Sequence, residues 1–195
     1  MIKRLFDIIT ALIGIIILSP FLFIIALLVI IDSRGGIFYK QVRVGKDMKE
    51  FKLFKFRTMF TDADKKGLLT VGMRDNRITR MGYYLRKYKL DELPQLFNVL
   101  IGNMSMVGPR PEVPKYVAMY SDEQKKVLSV KPGITDYASI VYANENEILA
   151  NAPNPEDVYI SKIMPSKLKL NLKYIDEMGL MTDLGIIVKT LGKVF

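Results

Sequence analysis

Cysteine and histidine are both absent from this 195-residue chain. Their absence excludes Cys–His nucleophilic catalysis, Ser-His-Asp triads, zinc sites built from the usual ligands, and disulfides. An enzyme made from these residues has to work with carboxylates, hydroxyls, lysine, arginine, or an oxygen-ligated ion such as Mg²⁺. Missing cysteine also agrees with a reducing compartment. Acid is in short supply: 20 Asp and Glu stand against 29 Lys and Arg, a net charge of +9. That balance favours anionic partners such as phosphate esters, nucleic acid or anionic lipid. No internal repeat, low-complexity segment or second soluble domain is visible, and the length suits one domain with a real core.

What is present begins with an apolar run at residues 5–31, broken mainly by Asp7, Thr10 and Ser19-Pro20. A straight helix of that length crosses a bilayer of about 30 Å. A signal peptide fits poorly, because the run is too long and no small-residue cleavage pattern follows it. Pro20 removes a backbone donor and predicts a sharp kink near Ser19, with two halves at residues 4–18 and 20–32. Basic residues flank both ends, Lys3-Arg4 before and Arg34, Lys40, Arg43 and Lys46 after. Basic flanks prefer the cytoplasmic side. Residues 1–32 are therefore expected to form a re-entrant hairpin, in and out through one leaflet, with a kinked span as the alternative. Residues 33–195 form the cytoplasmic domain.

Residues 37–44 and 51–59 predict a small β-hairpin with a turn at Gly45-Lys46-Asp47. From Arg34 to Arg57 there are eight basic and two acidic residues; most are solvated or lipid-facing. Lys55 and Arg57 differ, because aromatic neighbours should hold them in place. Residues 61–75 predict a short polar helix and loop, and 77–87 an amphipathic helix with Ile78, Met81 and Leu85 on one face. Leu93, Leu96, Phe97 and Leu100 recur at helical spacing, so Asp91-Glu92 are expected to open a helix. Pro94 sits in its first turn and Gly102 stops it. Carboxylates at a helix start are stabilised as anions by roughly 0.3–1 kcal/mol, and Arg86 should lower their pKa further. An isolated Asp-Glu pair is usually a plain cap. Here the flanking cations, the Pro-Arg-Pro corner at 109–111 and the apolar hairpin favour a reaction centre.

At these residues the chain resembles the bacterial sugar transferase family, the small monotopic phosphoglycosyl transferases. The resemblance runs over nearly the whole chain. It rests on the apolar segment broken at Ser19-Pro20, Lys55-Phe56-Arg57-Thr58-Met59, Asp75 with Arg77-Ile78-Thr79, and Leu85-Arg86-Lys87. Leu90-Asp91-Glu92-Leu93-Pro94-Gln95-Leu96, Gly108-Pro109-Arg110-Pro111 and Lys131-Pro132-Gly133-Ile134-Thr135 complete the order. The resemblance implies transfer of a sugar phosphate from a UDP-sugar to polyprenyl phosphate, typically undecaprenyl phosphate. It also implies Mg²⁺, a ping-pong route through an aspartyl-phosphosugar, and a place on the cytoplasmic face of a bacterial membrane. Carried over by motif, Asp91 is the nucleophile and Glu92 its partner at the metal or proton step. Both would support Mg²⁺ through substrate phosphates, with Lys55, Arg57, Arg86 and Arg110 around those phosphates. Position alone does not separate Asp91 from Glu92. The chain departs from the family pattern at Asn103, where Asp is usual, at Asp136, where Gly is usual, and at Ser139, where Gln is customary. The Asp136 departure suggests a backbone that does not need φ > 0.

The implied fold is α/β, mostly α: a re-entrant membrane helix-break-helix, a small β-hairpin, and a compact helical body with interfacial amphipathic helices. Residues 113–130 read as helix, 131–134 as loop, and 138–142 as β-like. Residues 144–157 are a polar loop with a short helix at 145–150. A helix from Pro165-Ser166 to about Glu177 takes Ser166 as its cap. Residues 183–195 predict a helix on the core or in the lipid interface. The sugar should be chosen by loops after Ile134 and around 144–157. The chain reads as a minimal catalytic unit. The competing reading is a non-catalytic membrane adaptor with a basic lipid- or partner-binding face; nucleic-acid binding finds no motif.

Overall fold

The computed structural model describes residues 2–61, 63 and 75–194. The expected polar helix at 61–75 therefore falls almost wholly outside the described residues. The first element, α1 (Ile2–Asp32), is a single helix that runs through Pro20. The two separate halves expected from Pro20 are replaced by one continuous helix, and the neighbouring side chain gives the reason. Proline cannot supply the N–H that would reach the Ile16 carbonyl, and the Ser19 hydroxyl donates to that carbonyl instead, at 2.8 Å. At about 1.5 Å per residue the helix is roughly 46 Å long, long and apolar enough to cross a membrane by length and composition.

One stripe of α1 lies against the rest of the protein from end to end. Lys3 donates to the Val107 carbonyl and pairs with Asp183, and Arg4 donates to the Val99 and Leu100 carbonyls. Asp7 accepts from the Ser105 hydroxyl and the Met106 N–H. Further along, Ala11, Ile15 and Leu18 pack with Leu53, Leu96, Val99 and Met104. Leu22, Ile25, Ala26 and Val29 pack with Phe56 and Leu85. At the far end Asp32 accepts from the Met81 N–H. The opposite face is apolar and exposed, including Ile13, Ile17, Phe23, Ile24 and Leu27.

The hairpin forms as expected. Strand β1 (Phe38–Val44) pairs antiparallel with β2 (Glu50–Phe56), Phe38 opposite Phe56, and Asp47 and Met48 take positive φ in the turn. Helix α2 (Arg80–Lys87) starts later than the pattern predicts, because Thr79 caps it by accepting from the Gly82 N–H, while Ile78 bridges to Met59. Helix α3 (Gln95–Ile101) ends on Gly102 at φ 94. Strands β3 (Ser105–Val107) and β4 (Gly133–Thr135) pair in parallel. The expected loop at 131–134 thus contributes a strand. Gly108 and Gly133 make the crossing possible: a Cβ on Gly108 would sit 2.4 Å from the Lys131 carbonyl oxygen, and one on Gly133 2.0 Å from the Gly108 nitrogen.

Residues 113–130 do not form the single helix expected. Helix α4 (Pro114–Val117) is short, and a 3₁₀ stretch follows at Gln124–Ser129. Ser121 and Gln124 exchange bonds between side chains and N–H groups, a capping box that restarts the chain in a new direction. Residues 138–142 belong to α5 (Tyr137–Val141) rather than a strand, since Asp136 caps it by accepting from the Ser139 N–H. Helix α6 (Glu145–Ala150) matches the expected short helix, and α7 (Pro155–Val158) follows it. A π-helical turn leads directly into α8 (Met164–Asp176), so Ser166 lies inside a continuing helix and caps nothing. Helix α9 (Leu180–Val194) packs Ile186 on Tyr174 and Val107 and exposes Met181, Val188 and Leu191. The architecture is mostly helical α/β, with α1 along one flank and the hairpin beside it.

Candidate active site

The acidic pair does not open an α-helix. Leu90–Glu92 is a 3₁₀ turn entered through Lys89 in the left-handed conformation (φ 54, ψ 24), and α3 begins only after Pro94. The helix-start stabilisation expected for the carboxylates is therefore replaced by local burial and charge. The turn splits the pair into two different groups. Glu92 Oε1 accepts from Lys55 Nζ at 2.8 Å and from the Arg110 guanidinium. Those two cations hold Glu92 well below the usual carboxylate range, Arg110 ahead of Lys55, although burial opposes them. Asp91 is 8 % exposed, and among the described residues its carboxylate makes no hydrogen bond. Burial, with help from Glu92, pushes Asp91 up to about 6; Lys55, Arg86 and Arg110 oppose the rise without cancelling it. Arg86 does act in the predicted direction, but desolvation wins.

Both cations on Glu92 are set by the fold. Lys55 comes from β2, whose register against α3 is fixed by Asn98, which is fully buried. The Asn98 carboxamide accepts from the Phe54 N–H at 2.9 Å and donates to the Lys52 carbonyl at 2.8 Å. A single side chain thus covers the strand edge and sets Lys55 opposite Glu92. Glu92, not an aromatic, is what holds Lys55. Arg110 sits on the loop leaving β3, and its N–H donates to Asp136 at 3.2 Å. Asp136, at φ −158, uses its other oxygen on the Ser139 N–H at 2.6 Å. The aspartate that departs from the family pattern therefore ties the Arg110 loop to α5 with an ordinary extended backbone.

The remaining predicted residues divide. Arg86 lines the same cavity as the dyad, and its Nε is buried without a partner. Arg57 also borders that cavity, but its guanidinium donates to the Ser33 carbonyl at 2.7 Å, to Val29 at 3.2 Å, and to Arg34. It is spent on closing the end of α1. Ser19 and Pro20 lie in the middle of α1, away from the dyad's hydrogen bonds. Asn103 follows the Gly102 cap and is half-buried, and the Ser139 hydroxyl borders the cavity without a partner.

The cavity holds about 1770 Å³, and Asp91 is among its lining residues. Its lining includes Gly14, Leu18 and Phe21 from α1, and the polar Glu145, Asn146, Lys167 and Asn171 from α6 and α8. Three groups on its wall escaped the sequence reading. Glu112 accepts from Arg43 at 3.0 Å and from the Tyr159 hydroxyl, and Glu145 accepts from Lys167 at 2.8 Å. Lys89 lines it too. Glu112 directly follows the Pro-Arg-Pro run, which was the available signal for it. Among the described residues no cluster of three or more metal-ligating side chains occurs. Two adjacent carboxylates suit a Mg²⁺ ion shared with substrate phosphates and water better than a cage of protein ligands.

Comparison with known proteins finds relatives along the whole chain. A family model described as bacterial sugar transferase matches residues 1–195. A UDP-N-acetylgalactosamine-undecaprenyl-phosphate N-acetylgalactosaminephosphotransferase of Aeromonas hydrophila is 35 % identical over 97 % of this chain and 43 % of its own length. A UDP-glucose:undecaprenyl-phosphate glucose-1-phosphate transferase of Klebsiella pneumoniae is 37 % identical over 99 % of this chain and 40 % of its own. An uncharacterized sugar transferase of Bacillus subtilis (strain 168) is 38 % identical over 98 % of this chain and 86 % of its own. The chain thus spans less than half the length of the first two relatives.

Proposed function

Because the chain belongs to the bacterial sugar transferase family, we propose that it moves a sugar 1-phosphate from a UDP-sugar to undecaprenyl or another polyprenyl phosphate, releasing UMP. The observation that carries this reading is the asymmetry of the dyad. Glu92 is saturated by Lys55 and Arg110, whereas Asp91 is buried, bare and more basic than an ordinary aspartate. A carboxylate free of hydrogen bonds keeps its lone pairs for attack. Glu92 serves instead to place two cations where a diphosphate would bring its charge.

In this scheme an Asp91 oxygen attacks the sugar-bearing phosphorus. The bond from that phosphorus to the bridging oxygen breaks, UMP leaves with that oxygen, and an aspartyl-phosphosugar remains. A phosphate oxygen of the polyprenyl acceptor then attacks the same phosphorus, the acyl-phosphate bond breaks, and Asp91 returns as a carboxylate. Lys55, Arg86 and Arg110 screen the phosphates so that an anion can approach an anion. Asp91 and Glu92 would hold Mg²⁺ through those phosphates, and the ion would supply further screening. Arg57 contributes indirectly, by fixing the end of α1.

The same reading sites the protein on the cytoplasmic face of a bacterial membrane. Contact of α1 with the body along its whole length, from Lys3 to Asp32, supports a placement with both of its ends on the side of the membrane that holds the body. Its opposite apolar face suits lipid, as do the exposed apolar residues of α9. The apolar cavity lining from α1 suits an acceptor whose phosphate lies at the headgroup layer.

The test is a UMP-release assay with a panel of UDP-sugars, Mg²⁺ and polyprenyl phosphate. At least one sugar should support turnover, and without acceptor UMP should appear as a stoichiometric burst. Release that depends strictly on acceptor would overturn the covalent route. Tags at Met1 and Phe195 should both be reached only from the cytoplasm; a periplasmic N-terminus would mean that α1 spans.

A further inference from the structure

Resting on the transferase reading above, we propose that Glu145 and Lys167 grip the donor's sugar by two neighbouring hydroxyls and so determine which sugar is accepted. The pair joins two helices: Glu145 opens α6, and Lys167 lies in the first turn of α8. Lys167 Nζ donates to Glu145 Oε2 at 2.8 Å, and both residues line the cavity that Asp91 lines. The ammonium also lies over the Tyr159 ring, 5.6 Å from its centre. Tyr159 in turn donates through its hydroxyl to Glu112, two residues beyond Arg110. The pair is thus one ring away from the loop that carries Arg110.

An ion pair between helices is ordinarily a tie and no more. Three observations mark this one as a ligand site. The first is spare capacity. Among the described residues Glu145 Oε1 makes no hydrogen bond, and only one of the three ammonium N–H groups of Lys167 is spent on a carboxylate. The second lies one turn along α8. Asn171 shares a stripe with Lys167, lines the same cavity and is 4 % exposed, yet its carboxamide oxygen is buried without a partner. The third comes from α5, which packs against α8. Ser139 lines the cavity there, and its hydroxyl is likewise buried without a partner.

Buried polar atoms are normally paired, so two unpaired ones beside a half-used ion pair are groups that a ligand can complete. An open acceptor and open donors held side by side match adjacent hydroxyls on a sugar ring, one donating to Glu145 and one accepting from Lys167. The chemistry also narrows the sugar. Lys55, Arg86 and Arg110 bring unbalanced positive charge suited to a diphosphate, whereas Lys167 is already neutralised by Glu145. A neutral pair suits an uncharged hexose, and a hexuronate would set its carboxylate against Glu145.

The experiment compares Glu145→Gln and Lys167→Met with wild type in the full-length protein. It measures Tm without ligand, the Tm increment given by UDP with Mg²⁺, and donor kcat/KM over a panel of UDP-hexoses and UDP-hexuronates. The UDP increment reports on nucleotide and diphosphate alone, so both variants should keep it. Donor kcat/KM for the preferred hexose should fall roughly 10- to 100-fold in each, with acceptor KM unchanged, and the preference over its epimers should flatten. Wild type should use hexuronates poorly. Donor kcat/KM and preference that survive both substitutions would overturn the proposal, as would a preferred hexuronate. A UDP increment lost in step with kcat/KM would also overturn it, by marking the pair as a helix tie or a diphosphate contact. Failure of the wild type to release UMP from any donor would instead sink the transferase reading. The extra Tm increment of a UDP-hexose over UDP would then decide the subsite, upholding it if the variants abolish that extra and overturning it if it is absent or survives them.

Discussion

The clamp at the start of α1 and the dyad beneath the cavity are built from the same parts, buried carboxylates with lysine and arginine nearby, and they arrange them in opposite ways. In the clamp every acid is matched. Asp7 takes a hydroxyl and an N–H, and Asp183 takes Lys3 and the Tyr174 hydroxyl. In the dyad Glu92 holds two cations on one oxygen and Asp91 holds none. Both arrangements hide charge from water, yet only the second leaves a reactive group unoccupied. Saturation marks the acids that hold α1 in place, and want of partners marks the acid suited to chemistry.

Substitutions break this comparison in order of size. Asp91→Asn should lower turnover by about a thousandfold or more, as expected for loss of a nucleophile, without unfolding the protein. Retained UMP release would overturn its role and favour an adaptor. The same variant carries a pH signature. A carboxyl raised from 3.8 to about 6 binds its proton more tightly when folded, so its ionised form disfavours the native state above pH 6. Asp91→Asn should therefore be more stable than wild type above pH 6, by on the order of 1–3 kcal/mol. That advantage should shrink as pH falls below 6 and vanish below about 4. Urea unfolding across pH reads it directly.

Asp183→Ala should do the reverse, destabilising by about 3 kcal/mol, because Tyr174 and Lys3 lose a buried partner. Donor chemistry should stay intact at temperatures where the fold survives. Loss of catalysis without loss of stability would mean that the clamp reaches the reaction centre. Smaller again is Glu92→Gln, expected to reduce kcat roughly a hundredfold by loosening Lys55 and Arg110. It also removes a charge that raises Asp91. The acid limb of the pH–rate profile should then move below its wild-type position near 6, and an unmoved limb would assign that limb to another group.

The sequence was most legible where chemistry is carried by contiguous residues. Lys55, Asp91, Glu92 and Arg110 fall in short runs that can be read one after another, and the structure brings the four together. The split between Asp91 and Glu92 was not legible, because burial and the left-handed Lys89 are tertiary facts. Arg57 sits two residues from Lys55, yet it faces the end of α1; a strand pattern cannot say which carbonyls lie nearby. Residues 138–142 read as β-like, and the Asp136 cap overrode that preference. Pro20 suggested a break, and Ser19 repaired it locally.

The close crossing of Gly108 and Gly133 has a consequence for anyone reading a mutational scan of this chain. Neither glycine has a side chain with which to touch a substrate, but two residues beyond Gly108 the backbone delivers Arg110 to Glu92. A methyl group at either position would overlap main-chain atoms, and those atoms can make room only by shifting the strand exit. Such a scan would score both positions as intolerant, in the company of Asp91. Only an assay of Arg110's grip on phosphate would reveal them as hinges of placement.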